Sequence, residues 1–94
     1  MASILVRHKV ADYATWKHVY DQHSTTRKAN GSLGGKLFRN AHDPNEVVSL
    51  LEWDDLGKAQ QFSQSDETRE TMQRAGIVDQ PDVYFLEEVE QVPE

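Results

Sequence analysis

Ninety-four residues can enclose one hydrophobic core but not two, so the expectation is a single domain over 1–94, with any ligand site inside it or between chains. Sixteen acidic against ten basic residues leave a net charge of −6. The basic groups (Lys17, Arg27, Lys28, Lys36, Arg39, Lys58, Arg69 and Arg74 among them) are spread along the chain, a pattern that repels a phosphate backbone and argues against nucleic-acid binding. Without cysteine there is no disulfide framework, thiol nucleophile or thiolate metal site. No apolar run is long enough to span a bilayer or form a secretory leader, so the expected location is the cytoplasm and no membrane partner is expected.

Ser3 to Val10 alternates Ile4, Val6, His8 and Val10 with Leu5, Arg7 and Lys9, the period of a strand with one mainly apolar face. Asp12 then stands as an N-cap before Tyr13, Trp16, Val19, Tyr20 and His23. Their spacings place them along one helical face, and the helix is expected to stop near Asn30-Gly31. Leu33 to Ala41 reads as a second strand. The segment Ala41-His42-Asp43-Pro44-Asn45 reads as a turn, because Pro and Asn/Asp supply its constrained dihedrals. Val47, Val48, Leu50 and Leu51 follow at once, so strands two and three form a hairpin. Asp54 or Asp55 caps a second helix carrying Leu56, Ala59 and Phe62 inward. Ser63-Gln64-Ser65-Asp66 breaks it and caps a further piece that ends at Ala75-Gly76. Pro81 to Val89 is the last strand, and 91–94 form a frayed tail.

Joined under the right-handed crossover rule, these elements give an α+β domain of βαββαβ order. It is a ferredoxin-like four-stranded antiparallel sheet with the helices on one face. The other face is apolar as well: strand three offers Val47, Leu51 and Trp53 on one side, Val48 and Leu50 on the other. No sequence remains to cover the second side in cis. The expected solution is a homodimer, a second copy packed sheet against sheet.

Of the four histidines, His18 and His23 are five residues apart, which places them on different sides of a helix, so no metal site is expected. His8 interrupts an apolar strand face, where a polar ring needs a partner. Gly31-Ser32-Leu33-Gly34-Gly35-Lys36 fails as a phosphate loop, with Asn30 where the first glycine belongs and Leu37 after the lysine. Its glycines instead suit a bulge or close backbone approach at the start of strand two. Glu87, Glu88 and Glu90 read as solvated edge charges. Trp53, which shares a strand face with Ser49 and Leu51, ends strand three at a position from which its ring can wall a pocket.

The run Val47-Val48-Ser49-Leu50-Leu51-Glu52-Trp53, then Ser65-Asp66-Glu67-Thr68-Arg69-Glu70-Thr71-Met72, then Pro81-Asp82-Val83-Tyr84-Phe85-Leu86 resembles the antibiotic-biosynthesis monooxygenase family of dimeric α+β barrels, over almost the whole chain. The resemblance implies a small-molecule pocket between sheet and helices and, in the quinone-forming members, oxygenation of polyketide anthrones with neither flavin nor metal. Trp53 matches the pocket tryptophan of those members and Arg69 their arginine. Ser49 stands where they carry asparagine, and Ala59 or Gln60 near their tyrosine. The haem-degrading branch is disfavoured, since its asparagine, tryptophan and histidine positions fall near Val6 or His8, Phe62 and Met72. The implied function is a monooxygenase or cyclase acting on a flat aromatic or polyketide-like substrate without a cofactor; the alternative is a non-catalytic dimeric module that responds to stress or binds a metabolite. The implied site has Trp53 and Phe62 against the substrate, Arg69 as the charge for an enolate or phenolate, and Ser49 as a hydrogen-bond donor. His8, Tyr20 or His23 would accept the proton, with Arg7 replacing His8 if the pocket lay on the other sheet face.

Overall fold

The computed structural model describes residues 2–94. Four strands, β1 (Ala2–Lys9), β2 (Ser32–Asn40), β3 (Asp43–Trp53) and β4 (Asp82–Glu87), form one antiparallel sheet in the order β2-β3-β1-β4. Between β1 and β2 run α1 (Tyr13–Gln22) and α2 (Ser24–Ala29). Between β3 and β4 run α3 (Leu56–Ser63) and α4 (Asp66–Arg74). This is the ferredoxin-like α+β arrangement. The first helix differs from its expectation by a break at His23, whose N–H bonds back to the Val19 and Tyr20 carbonyls while its own carbonyl receives Arg27 N–H at 3.0 Å. The chain therefore bends without leaving the helical stripe. Strand three begins earlier than its apolar run, because the hairpin closes tightly at Ala41-His42 and Asp43 already pairs with Asn40.

Local chemistry sets the starts of α1, α3 and α4. Asp12 accepts Thr15 N–H at 3.0 Å, Asp55 accepts Lys58 N–H at 3.0 Å and Ser65 accepts Thr68 N–H at 3.2 Å, so each cap satisfies one of the orphan donors of a first turn. The glycines of β2 have two uses. Register slips between Ser32 and Gly34, leaving Leu33 as the bulged residue. At Gly35 any Cβ would run into the Leu50 carbonyl of the neighbouring strand. Glu88 to Glu94 are exposed and without regular secondary structure.

Strand alternation sorts the sheet into two faces. Toward the helices point Ile4, Val6 and His8 of the first strand, with Val10 just beyond it, and Val47, Ser49, Leu51 and Trp53 of the third, brought opposite one another as Ile4 with Leu51, Val6 with Ser49 and His8 with Val47. The buried core on this face has two parts. Val10, Trp16, Val19, Val47 and Ala75 form one, and Ile4, Trp53 and Ala59 the other.

Candidate functional site

The space between the two core clusters is not filled. A cavity of about 110 Å³ lies there, walled by residues of both clusters and floored by the middle of β1 and β3, with His8, Ser49 and Val6 among its lining. Native interiors rarely leave such a space empty of side chains, so a void lined with polar groups at its floor points to a ligand.

His8 is the most informative group. Its side chain is 4 % exposed, and neither Nδ1 nor Nε2 has a hydrogen-bond partner. A buried polar ring with both nitrogens unsatisfied carries a desolvation cost that a bound partner relieves. Burial is also the largest influence on its pKa, pushing it below the ordinary imidazole value despite the opposing pull of Asp79. At neutral pH the ring is therefore uncharged, with one nitrogen free to accept a proton. Trp16 holds it in place at 5.3 Å between ring centroids, and Trp16 in turn stacks on Tyr20 at 4.8 Å.

His23 also borders the cavity and also has an unpartnered buried nitrogen, Nε2; burial lowers its pKa. Phe62 lies between it and Trp53, at 5.8 Å from the first ring and 5.2 Å from the second. Trp53 is 1 % exposed and lines the cavity with its ring, while its Nε1–H donates to the Asn30 carbonyl at 3.1 Å. That bond ties the end of β3 to the end of α2, and it explains why Gly31 carries no side chain: a Cβ there would meet Asp54 Oδ1 at 2.5 Å and the indole nitrogen at 2.9 Å. Ser49 and Tyr20 reach the same cavity, Ser49 from the strand floor and Tyr20 from α1; burial raises the Tyr20 pKa, which keeps its hydroxyl protonated.

Six of the residues singled out from sequence thus converge: His8, His23, Trp53, Ser49, Tyr20 and Phe62. Arg69 does not join them. Its side chain is 68 % exposed and reaches Asp66 at 3.6 Å on its own helix. Thr68, Met72 and Ala75, spaced by three and four, face the cavity from this helix segment, and Arg69 is turned about 100° away from Thr68. The two faces of the first strand are also distinguished, because Arg7 lies on the opposite side from His8, bound to Glu46 at 2.6 Å and to Asp79 and Asp82 at 3.3 and 3.2 Å.

The cation that does line the cavity is Arg27. Sequence reading stopped the inward stripe at His23, yet Tyr20, His23 and Arg27 continue the same spacing of three and four, and that periodicity was the available signal. His18 and His42 are exposed. Among the described residues there is no group of three or more His, Cys, Asp or Glu side chains placed to hold a metal ion.

The sequence pattern of the antibiotic biosynthesis monooxygenase family matches residues 13–74, and the chain belongs to that family. A search of curated proteins returns no match. Among solved structures, it is similar to SnoaB, a cofactor-independent oxygenase from Streptomyces nogalater, with a TM-score of 0.78, 14 % identity, and 99 % of this chain and 97 % of that one covered. It is similar also to a candidate antibiotic biosynthesis monooxygenase from Bordetella bronchiseptica (TM-score 0.77, 18 % identity, 94 % and 96 % covered) and to Rv0793 from Mycobacterium tuberculosis (0.72, 13 %, 98 % and 98 %). At these identities the likeness is one of fold. No helix among the described residues is long and apolar enough to cross a membrane.

Proposed function

We propose that this protein binds a flat aromatic molecule in the cavity between sheet and helices and oxygenates it without flavin or metal, with His8 as the base. The observation that carries the reading is the buried imidazole of His8, unpartnered at both nitrogens, in the lining of a mainly apolar cavity. Family membership and the likeness in fold to a cofactor-independent oxygenase support it.

In this chemistry an activated ring C–H or O–H gives its proton to an imidazole nitrogen of His8, and the carbanion or phenolate passes one electron to dioxygen. The resulting radical pair joins to a peroxide. Where the attacked carbon carried two hydrogens, loss of water leaves a carbonyl, so that two hydrogens and one dioxygen are exchanged for one oxygen on carbon and one water. Trp53 and Phe62 bound the ring, and Ser49 supplies a hydroxyl to the developing oxyanion, a weaker aid than an amide. The test is oxygen uptake with reduced aromatic substrates, followed alongside quinone absorbance. His8→Phe should keep the fold and lose turnover by roughly 10²-fold or more; uptake equal to that of the unaltered protein would overturn the role of His8.

Two observations favour a second reading, a binding module without turnover: Arg69 faces solvent, and serine occupies the floor position at Ser49. Ligand binding without oxygen uptake would select it.

The assembly belongs to the same proposal. The sheet face away from the helices carries Leu5, Val48 and Leu50 at its centre, with Phe38 49 % and Tyr84 56 % exposed beside them. A continuous apolar face of this kind is covered by a second copy packed sheet on sheet. Leu50→Lys should turn a dimer into a monomer in sedimentation, and a monomeric unaltered protein would sink the pairing.

A further inference from the structure

Arg27 lines the cavity, and among the described residues its charge has no counter-ion. Its Nη1–H donates to the Tyr20 carbonyl at 2.7 Å and its guanidinium sits 3.8 Å from the centroid of the Tyr20 ring. Among the described residues it makes no salt bridge; Asp21, which acts on it through space, is itself paired with Lys17 at 2.6 Å. Arg7 shows the contrast, since three carboxylates surround it. A half-buried guanidinium with donors to spare is completed by a planar anion that accepts from it in the same plane.

Two further observations limit that anion. The cavity volume of about 110 Å³ is comparable to the roughly 150 Å³ apolar space that holds one benzene, and lies below the roughly 300 Å³ at which drug-sized pockets begin. Its enclosed part has room for one ring. Along its wall Arg27, Tyr20, Trp16 and His8 succeed one another in contact, which places the cation at one end and the unpartnered imidazole at the other.

We propose that the cavity is selective for a single-ring aromatic carboxylate bearing a hydroxyl on the far side of the ring, its carboxylate paired with Arg27 and its hydroxyl against His8. The inference rests on the proposed ligand site but not on the oxygen chemistry, and it narrows the flat-substrate class to one ring and one negative charge.

Calorimetric titration of the full chain near neutral pH with 4-hydroxybenzoate, benzoate, 4-hydroxybenzamide and anthracene carboxylate tests it. The acid should bind at least about tenfold more tightly than its neutral amide, and the three-ring acid should bind weakest. Arg27→Gln should erase the preference for acid over amide, Arg27→Lys should restore part of it, and His8→Phe should erase only the preference for 4-hydroxybenzoate over benzoate. Thermal melts of each variant report folding, and the acid-to-amide ratio on the unaltered protein decides the matter even if a variant fails to fold. Equal affinity for acid and amide, no binding of any one-ring acid, or tighter binding of the three-ring acid overturns the inference. Oxygen-electrode readings on the same ligands separate the two readings. Selective binding of the one-ring acid without uptake overturns the oxygenase alone, whereas uptake with 4-hydroxybenzamide equal to that with 4-hydroxybenzoate overturns this inference alone.

Discussion

The two faces of the sheet are made by the same strands yet meet different fates. On the helix side, Ile4, Val47 and Trp53 are sealed to 4 %, 0 % and 1 % exposure, and the packing leaves a cavity bordered by His8, Ser49 and Arg27. On the far side, Phe38, Tyr84 and Leu86 remain 49 %, 56 % and 39 % exposed, and Arg7 forms an ion-pair network with Glu46, Asp79 and Asp82. One face thus has polar groups within a covered space, the other apolar groups without cover. The first arrangement suits a small ligand and the second a large flat partner, because an imperfectly filled core admits one molecule whereas an open sheet face needs an area of comparable size.

Truncating the covered face should cost most. Trp53→Ala removes a buried ring that both packs on Phe62 and ties β3 to Asn30, and should lower unfolding free energy by about 3–5 kcal/mol in denaturant titration. Tyr84→Arg on the open face should change stability of the isolated chain little while abolishing self-association; the size of its effect relative to Trp53→Ala measures how far the two faces differ.

Acid should act on the covered face before it acts on the ion pairs. The folded-state pKa values of His8 and His23 are lowered by burial, so as pH falls through the unfolded histidine value of about 6.5 the unfolded chain takes up protons that the folded one refuses. Stability is then lost from near neutral pH downward, and none is lost on this account above it. Glu46 and Asp79, whose pKa values are lowered chiefly by hydrogen bonds accepted from Asn40 and Arg7 for the first and from Lys9 N–H for the second, lose their contribution only as pH falls through and below the ordinary carboxylate range. The melting temperature of His8→Phe measured from neutral to mildly acidic pH should fall less steeply than that of the unaltered protein. A parallel slope would remove His8 as the source.

Smaller effects sharpen the boundary of the site. Ser65→Ala deletes the cap of α4 and should cost about 1 kcal/mol. Arg69→Ala, on an exposed side chain that pairs only within its own helix turn, should change stability by less than about 0.5 kcal/mol and leave ligand affinity unchanged; a lost affinity would bring the residue back to the site.

The strand and helix pattern was legible because period-2 and helical spacings act locally. Alternation in Ser3 to Val10 placed His8 and Arg7 on opposite faces, and Asp12 and Ser65 announced their helices by capping chemistry that spans only three residues. Alternation likewise put Ser49 and Trp53 on one face of the third strand, but it leaves open whether His8 or Arg7 of the first strand meets them, because only the pairing of the two strands sets that. Arg69 and Arg27 exchanged places for a physical reason. Resemblance to relatives pointed to the residue after Thr68, but the helix offers its Thr68, Met72 and Ala75 side to the sheet, while the stripe of α1 runs past the bend at His23 to deliver Arg27.

The order of elements, the caps of α1, α3 and α4 and the two-sided apolar character of the sheet are readable from the residues alone, since each follows from interactions between near neighbours in the chain. Long-range packing settles the rest: two core clusters stop short of each other, both His8 nitrogens go unpartnered, and Arg27 rather than Arg69 lines the gap. Those features depend on how helices from distant parts of the chain rotate and settle on the sheet, a packing outcome that no local periodicity encodes.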